Sequence, residues 1–185
     1  MGTLSPPFNL ERIKCDAYVE TGTGHCTSLF AALRSKLFKK CYSIDIDPLI
    51  VEDARALLPK AEILLGESVF TLNSLLKNEL TQYNSILFFL DAHFPKADYF
   101  GATYDINAPN AIPLKEELTL IHTYRKNCKD VIICDDARIY SDKYAWQAGQ
   151  YFLVKEGCDW LFKMYPNTMV ILDGEGYFLI DNRIL

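Results

Sequence analysis

The chain has 185 residues, half of them hydrophobic, so it can bury the core of one domain and leaves little room for a second. Its net charge is −5 and no cluster of lysine and arginine stands out, which argues against nucleic acid as a partner. No apolar run reaches transmembrane length and the first residues lack the apolar core of a signal peptide. We therefore expect one cytoplasmic domain, residues 1–185, with no membrane partner.

The cysteines point to the same compartment. None of the six forms a C-x-x-C pair, and several lie within apolar runs that are typical of core strands. We expect reduced thiols that pack as small core side chains.

Apolar runs alternate with helical patterns, which is typical of a parallel sheet with helices on both faces. The predicted strands are residues 17–20, 41–46, 62–65, 85–90 and 131–134. The predicted helices are residues 27–36, 49–58, 68–76, 114–125 and 159–165. Residues 94–112 and 138–157 are predicted to be irregular, the first as a long loop of the kind that often covers a binding site. Two arms, 169–172 and 177–180, predict a terminal hairpin. The expected fold class is α/β, a Rossmann-like doubly wound sheet of five parallel strands plus a C-terminal antiparallel hairpin.

A glycine-rich turn joins the first predicted strand to the first predicted helix. The dinucleotide pattern G-x-G-x-x-G needs glycine at position 27, where this chain has Thr27. A carboxylate at Glu20, two residues before the first glycine, would repel pyrophosphate and attract the sulfonium and ammonium of S-adenosylmethionine (SAM). Unit charges about 4 Å apart interact by roughly 1 kcal/mol in water and about 4 kcal/mol near a protein surface. The turn thus favours SAM, and the alternative is a tight turn that binds nothing. The residues expected to bind SAM here are Glu20, Gly22, Thr23 and Gly24.

The same turn resembles motif I of the class I SAM-dependent methyltransferases, E/D-x-G-x-G-x-G, with Cys26 in place of the third glycine. Asp45 lies 21 residues after Gly24, the spacing at which an acid reaches ribose hydroxyls, and it resembles the motif II acid of this family. Asp47 fits a helix N-cap before Pro48, and the two aspartates could exchange roles.

Further cofactor contacts are implied by the resemblance alone. Ile46 belongs to the predicted cofactor site beside Asp45. Glu67 is expected to accept a hydrogen bond from the exocyclic amine of adenine, and the backbone N–H of Ser68 to meet a ring nitrogen. The alternative for Ser68 is that it simply caps the helix that follows.

Acidic residues follow the fourth and fifth predicted strands. Asp91 and His93 follow the fourth strand, and Asp135 and Asp136 directly follow the fifth. Adjacent parallel strands lie about 4.8 Å apart, and their carboxyl ends open on the crevice where doubly wound folds bind ligands. Three converging carboxylates need protons or a cation, and an all-oxygen cluster suits Mg²⁺. We therefore predict Asp91, Asp135 and Asp136 as metal ligands, with turn-capping without metal as the alternative.

This acid cluster resembles that of the metal-dependent sugar O-methyltransferases, and the chain from about Ala17 is similar to a group of bacterial and phage methyltransferase-like proteins. The resemblance implies O-methylation of a small hydroxylated acceptor such as a sugar. Asp91 then belongs to both the cofactor and the catalytic residues, and His93 is the expected general base, unless it makes only a structural hydrogen bond. Arg138 and Lys115 are expected either to neutralise nearby acids or to contact the substrate. A homodimer is expected. Two alternatives stay open, a SAM- or nucleotide-binding protein without transferase activity and a nucleotide-sugar or NAD-type oxidoreductase.

Overall fold

A computed structural model of the chain describes residues 8–93, 111–140, 157–172 and 176–184. Within them, seven strands form a single sheet in the order β3-β2-β1-β4-β5-β7-β6. Strands β1 to β5 are parallel, and β7 lies antiparallel between β5 and β6. The strands are β1 (Ala17–Thr21), β2 (Lys40–Asp45), β3 (Glu62–Leu65), β4 (Ile86–Leu90), β5 (Val131–Cys134), β6 (Met169–Ile171) and β7 (Tyr177–Asp181).

Helices cover both faces of this sheet, and each face has its own apolar core. On one face, Leu29 and Val51 pack from the first two helices. On the other face, Leu72, Leu118 and Leu161 pack from the remaining three. The helices are α1 (Thr27–Ser35), α2 (Pro48–Leu57), α3 (Ser68–Lys77), α4 (Leu114–Arg125) and α5 (Asp159–Met164).

The central strands have no polar face because both of their faces are covered. β4 is Ile-Leu-Phe-Phe-Leu and all five of its residues are buried, as expected for a parallel strand between two helical layers. β1 is buried throughout as well, although it contains Glu20 and Thr21. Buried polar groups in such a strand need partners, and these two side chains lie next to the glycine turn.

A buried ion pair joins α4 to β5 at the end of the sheet opposite the glycine turn. Arg125 donates to both oxygens of Asp130, at 2.7 and 2.8 Å, and also to the carbonyl oxygens of Leu80 and Tyr83, both at 3.0 Å. Asp130 in turn accepts the backbone N–H of Ile86 at 2.8 Å. The pair therefore links α4, the segment before β4 and the start of β5.

The predicted architecture is confirmed. All seven predicted strands and all five predicted helices are present, with ends that differ by a residue or less. In the described part of the chain, four short 3₁₀ turns, around residues 10–12, 79–82, 137–139 and 182–184, were not predicted. The six cysteines form no disulfide bond, and all but Cys128 are buried. In the described ranges, no helix has both the length and the apolar character needed to cross a bilayer. The predicted loops at 94–112 and 138–157 and the hairpin turn lie largely outside the described residues.

Candidate functional site

The predicted site residues meet at the carboxyl ends of β1, β2, β4 and β5. Thr21, the last residue of β1, pairs with Leu90 of β4, and Leu90 pairs with Cys134 of β5. The residues that follow these three, Gly22, Asp91 and Asp135, therefore start from one line across the sheet. This arrangement places the glycine turn beside the acidic cluster, as the strand order required.

The glycine turn has a backbone that few other residues could adopt. Gly22 has φ +82°, and a Cβ there would lie 2.6 Å from the backbone oxygen of Asp91. Gly24 has φ +45°. Cys26, at the place of the third motif glycine, also has a positive φ, +61°, and directly precedes α1. The departure from the motif therefore changes the residue but keeps the left-handed conformation that glycine would adopt.

Glu20 lies two residues before the first glycine of the turn, and its side chain is buried and does not face the crevice. Its carboxyl is 1% exposed and accepts hydrogen bonds from the Tyr18 hydroxyl and the Ser43 hydroxyl, both at 2.6 Å. The Ser43 oxygen lies 2.6 Å from the hydroxyl oxygen of Thr23, which extends the network into the turn. Burial raises the pKa of Glu20 to about 8, so the group is mostly uncharged at neutral pH. This burial speaks against the electrostatic role expected of Glu20 beside the ligand, and its place among the SAM-binding residues stays a prediction.

Asp45 is the acid that holds the turn. Its Oδ2 accepts the backbone N–H groups of Thr23 at 3.0 Å and Gly24 at 3.2 Å, and its Oδ1 accepts that of Asp47 at 2.9 Å. The two turn amides that a phosphate would use are thus bound by a carboxylate of the protein. The structure also assigns a different role to each aspartate. Asp45 holds the glycine turn, whereas Asp47 caps α2 by accepting the N–H of Leu49 at 2.9 Å. Ile46, between them, is 39% exposed at the same strand end.

The turn after β3 differs from the prediction in its cap. Glu67 is the N-cap of α3, and its two carboxylate oxygens accept the N–H groups of Val69 at 3.3 Å and Phe70 at 3.1 Å. The predicted alternative, a cap by Ser68, is wrong, because Ser68 is the first residue of the helix and its side chain is buried. A carboxylate that already accepts two amides has less capacity for the adenine amine that was expected to bind it.

The acidic cluster is bridged by two basic side chains. His93 Nδ1 lies 3.3 Å from Asp91 Oδ1, and His93 Nε2 lies 2.6 Å from Asp136 Oδ2. Arg138 Nε lies 3.0 Å from Asp136 Oδ1, which confirms that Arg138 neutralises a nearby acid. Asp135 is buried, and its Oδ1 accepts the N–H of Asp136 at 2.8 Å. Asp136 itself has φ +55°, a conformation that aspartate tolerates better than most residues.

This pairing changes the expected role of His93. Burial lowers its pKa, but the hydrogen bond to Asp136 and the charge of Asp91 outweigh burial and raise the pKa to about 9. The imidazole is therefore protonated at neutral pH, with both nitrogens facing carboxylates. The general-base role of His93 stays a prediction, and the two contacts with Asp91 and Asp136 favour the alternative, a structural hydrogen bond.

The cation site predicted at Asp91, Asp135 and Asp136 does not fit the observed geometry. Between Asp91 and Asp136 lies an imidazolium, and the second oxygen of Asp136 faces a guanidinium. Across the described residues, no three His, Cys, Asp or Glu side chains are grouped so that they could hold a metal ion. Positive charge from the protein's own side chains stands where Mg²⁺ was expected.

One carboxyl at this site was missed by sequence reasoning. Glu117 of α4 is 1% exposed and lies by the hydroxyls of Ser68 and Thr21. Burial raises its pKa to about 7, while those two hydroxyls and the charge of His93 lower it. The only sequence signal is its helical position, which Glu117 shares with Leu114, Leu118 and Ile121 on the buried face of α4.

Among the solved structures with a similar fold are two methyltransferases and a spermidine synthase. The methyltransferase domain of bacterial CtHen1 has a TM-score of 0.54 at 12% identity, over 93% of each chain. A proposed caffeoyl-CoA O-methyltransferase from Staphylococcus aureus has a TM-score of 0.57 at 15% identity, over 93% of this chain and 79% of that one. Spermidine synthase in complex with the transition-state analogue AdoDATO has a TM-score of 0.58 at 16% identity, and the match covers 91% of this chain and 55% of the synthase. No protein-family profile and no curated protein matches the sequence.

The strand order, the glycine turn after β1 and the acid at the end of β2 define one architecture. The chain has the Rossmann-like fold of the class I SAM-dependent methyltransferases. At 12 to 16% identity the likeness to the three solved structures is one of fold.

Proposed function

We propose that this protein is a SAM-dependent methyltransferase that transfers the methyl group to a hydroxyl of a small acceptor, such as a sugar or related metabolite. The observation that carries the proposal is the contact of Asp45 with the amides of Thr23 and Gly24. It occupies the donors that a pyrophosphate would need and leaves a carboxylate at the end of β2, where one of about four lone pairs remains for a ribose hydroxyl. The fold shared with O-methyltransferases supports the same reading.

The cofactor half of the proposal can be tested by calorimetry. We expect SAM to bind and NAD not to bind, because NAD would bring a pyrophosphate to a turn whose amides are already bound to a carboxylate. Asp45→Asn should weaken SAM binding about tenfold to a hundredfold, since hydrogen bonds to a charged group contribute about 1.5–3 kcal/mol. Asp47→Asn is the matched control and should keep the affinity of the native chain, because asparagine caps a helix as well as aspartate does. Tight binding of NAD without binding of SAM would contradict the proposal.

The transferase half is tested by turnover on a panel of hydroxylated compounds with labelled SAM. Methyl transfer is an in-line displacement, so holding the acceptor oxygen against the methyl group supplies much of the rate. We propose that Asp91, whose side chain is 21% exposed, faces the acceptor, while Asp136 is only 6% exposed. A chain that binds SAM and labels no acceptor would favour the alternative, a SAM-binding protein without transferase activity.

We expect the site to work without a divalent cation, because His93 and Arg138 already balance the charge of Asp136. Titration with Mn²⁺ in a calorimeter should show no site tighter than about millimolar, and chelation should leave SAM binding within about twofold of the untreated protein, because the described residues offer no oxygen cluster to a hard ion. Stoichiometric Mn²⁺ binding in the micromolar range would overturn this expectation and restore the metal-assisted hypothesis.

A further inference from the structure

Glu117 is a buried carboxyl that the proposed chemistry does not use. It projects from α4 to the place where β1 ends and α3 begins, beside Thr21 and Ser68. Thr21 directly precedes Gly22, and Ser68 directly follows Glu67. The carboxyl therefore lies beneath two of the turns that frame the cofactor crevice.

The polar atoms around Glu117 are not fully satisfied. Glu117 Oε1 and Thr21 Oγ1 are both buried, and neither completes a hydrogen bond of normal length and angle within the described part of the chain. Buried polar atoms in native proteins are nearly always paired, so a pair of such atoms under a binding crevice needs an explanation. An unpaired carboxyl oxygen beneath the crevice is a source of negative potential, which a ligand with a positive charge would stabilise through space.

Two other carboxyl groups near the crevice contribute little net negative charge, so Glu117 can supply it. Glu20 is mostly neutral, and the Asp91 carboxylate faces the His93 imidazolium. The pKa of Glu117 lies near 7, so a neighbouring cation shifts it readily to the charged form.

We propose that Glu117 is a positioning residue that supplies a buried negative charge beneath the crevice and so favours SAM over its demethylated product, S-adenosylhomocysteine. This inference rests on the proposed function, since it assumes that SAM is the ligand. SAM carries a sulfonium that the product lacks, and the two are otherwise alike. A negative charge behind the crevice therefore strengthens binding of the substrate form and eases release of the product form.

The test compares the affinities for SAM and S-adenosylhomocysteine, measured by calorimetry at about pH 7.5, above the pKa of Glu117 and below that of Glu20. Glu117→Gln keeps the shape and removes the charge. It should weaken SAM about five- to tenfold and change S-adenosylhomocysteine by less than about twofold, because only SAM carries the sulfonium charge. Glu116→Gln, the same change at the exposed neighbouring position, should alter neither affinity.

Equal loss of both affinities in Glu117→Gln would show a purely structural role and overturn the inference, and so would no loss of either. Should Glu117→Gln fail to fold, Glu117→Asp and Glu117→Asn form a second pair of equal length that differ in charge. Glu117→Asp should keep the native ratio of the affinities for SAM and S-adenosylhomocysteine, and Glu117→Asn should lose it. Identical ratios in the two variants would overturn the inference. A native chain that binds neither compound overturns the proposed function itself, which is a different result from an unchanged ratio.

Discussion

Gly22→Ala is expected to destroy the cofactor turn. The new Cβ would lie 2.6 Å from the backbone oxygen of Asp91 and 2.8 Å from its carbonyl carbon, at a residue with φ +82°. The backbone has little room to move away, because Gly22 donates to Ile44 at 2.9 Å and Asp91 donates to Thr21 at 3.0 Å. Left-handed strain and overpacking together should lower the free energy of unfolding by about 3–5 kcal/mol. SAM binding measured by calorimetry should fall at least about a hundredfold in whatever protein remains folded, because 1.4 kcal/mol is a factor of ten in affinity.

Gly157→Ala separates the two causes. Gly157 also has a positive φ, +62°, but a Cβ there would meet only the Tyr140 oxygen at 3.7 Å, an ordinary contact. This variant should lose about 1–2 kcal/mol of stability in chemical denaturation and keep its SAM affinity. If Gly22→Ala were as stable as Gly157→Ala and bound SAM like the native chain, the close approach of Gly22 to Asp91 would be disproved.

Arg125→Met should be the most damaging change outside the site. It removes four hydrogen bonds and leaves Asp130, which is fully buried, without its cation. Loss of one partner of a buried pair typically costs about 3–5 kcal/mol, because the remaining charge is uncompensated. Urea denaturation should show this loss as a lower midpoint with an unchanged slope.

The exposed pair between Lys39 and Asp16 provides the comparison. Its N···O distance is 2.7 Å, as short as that of the buried pair, but the lysine side chain is 72% exposed. Lys39→Met should therefore change stability by less than about 1 kcal/mol. Similar losses in the two variants would mean that burial does not set the value of the Arg125 pair.

The fold could be predicted from the sequence because its signals are local and repeated. β4 and β5 are short, unbroken apolar runs, and α2 begins at a proline preceded by a capping aspartate. The 3₁₀ turns were missed because three or four residues are too few to show a period. The position of β7 between β5 and β6 depends on contacts between distant parts of the chain, so no local sequence pattern predicts it.

The site was predicted less well, because its chemistry depends on which side chains face one another. The positions of Gly22, Asp45 and Asp91 followed from strand ends, and the structure places them at the same edge of the sheet. Tyr18 lies two residues from Glu20 on the same face of β1, but Ser43 belongs to β2, and sequence spacing does not reveal that cross-strand contact. The contact between His93 and Asp136 likewise spans two strand ends, so no local pattern indicates that an imidazole would lie between the two aspartates in place of a metal ion.

The anchoring of the glycine turn also affects how tightly a ligand can be held. Thr23 and Gly24 are tied to Asp45, and Thr23 is tied through Ser43 to Glu20, all by bonds between groups of the protein itself. Fixing the backbone of one residue costs about 1–2 kcal/mol of conformational entropy. For these residues that ordering accompanies folding, so a ligand that docks on the turn keeps more of its contact energy as affinity.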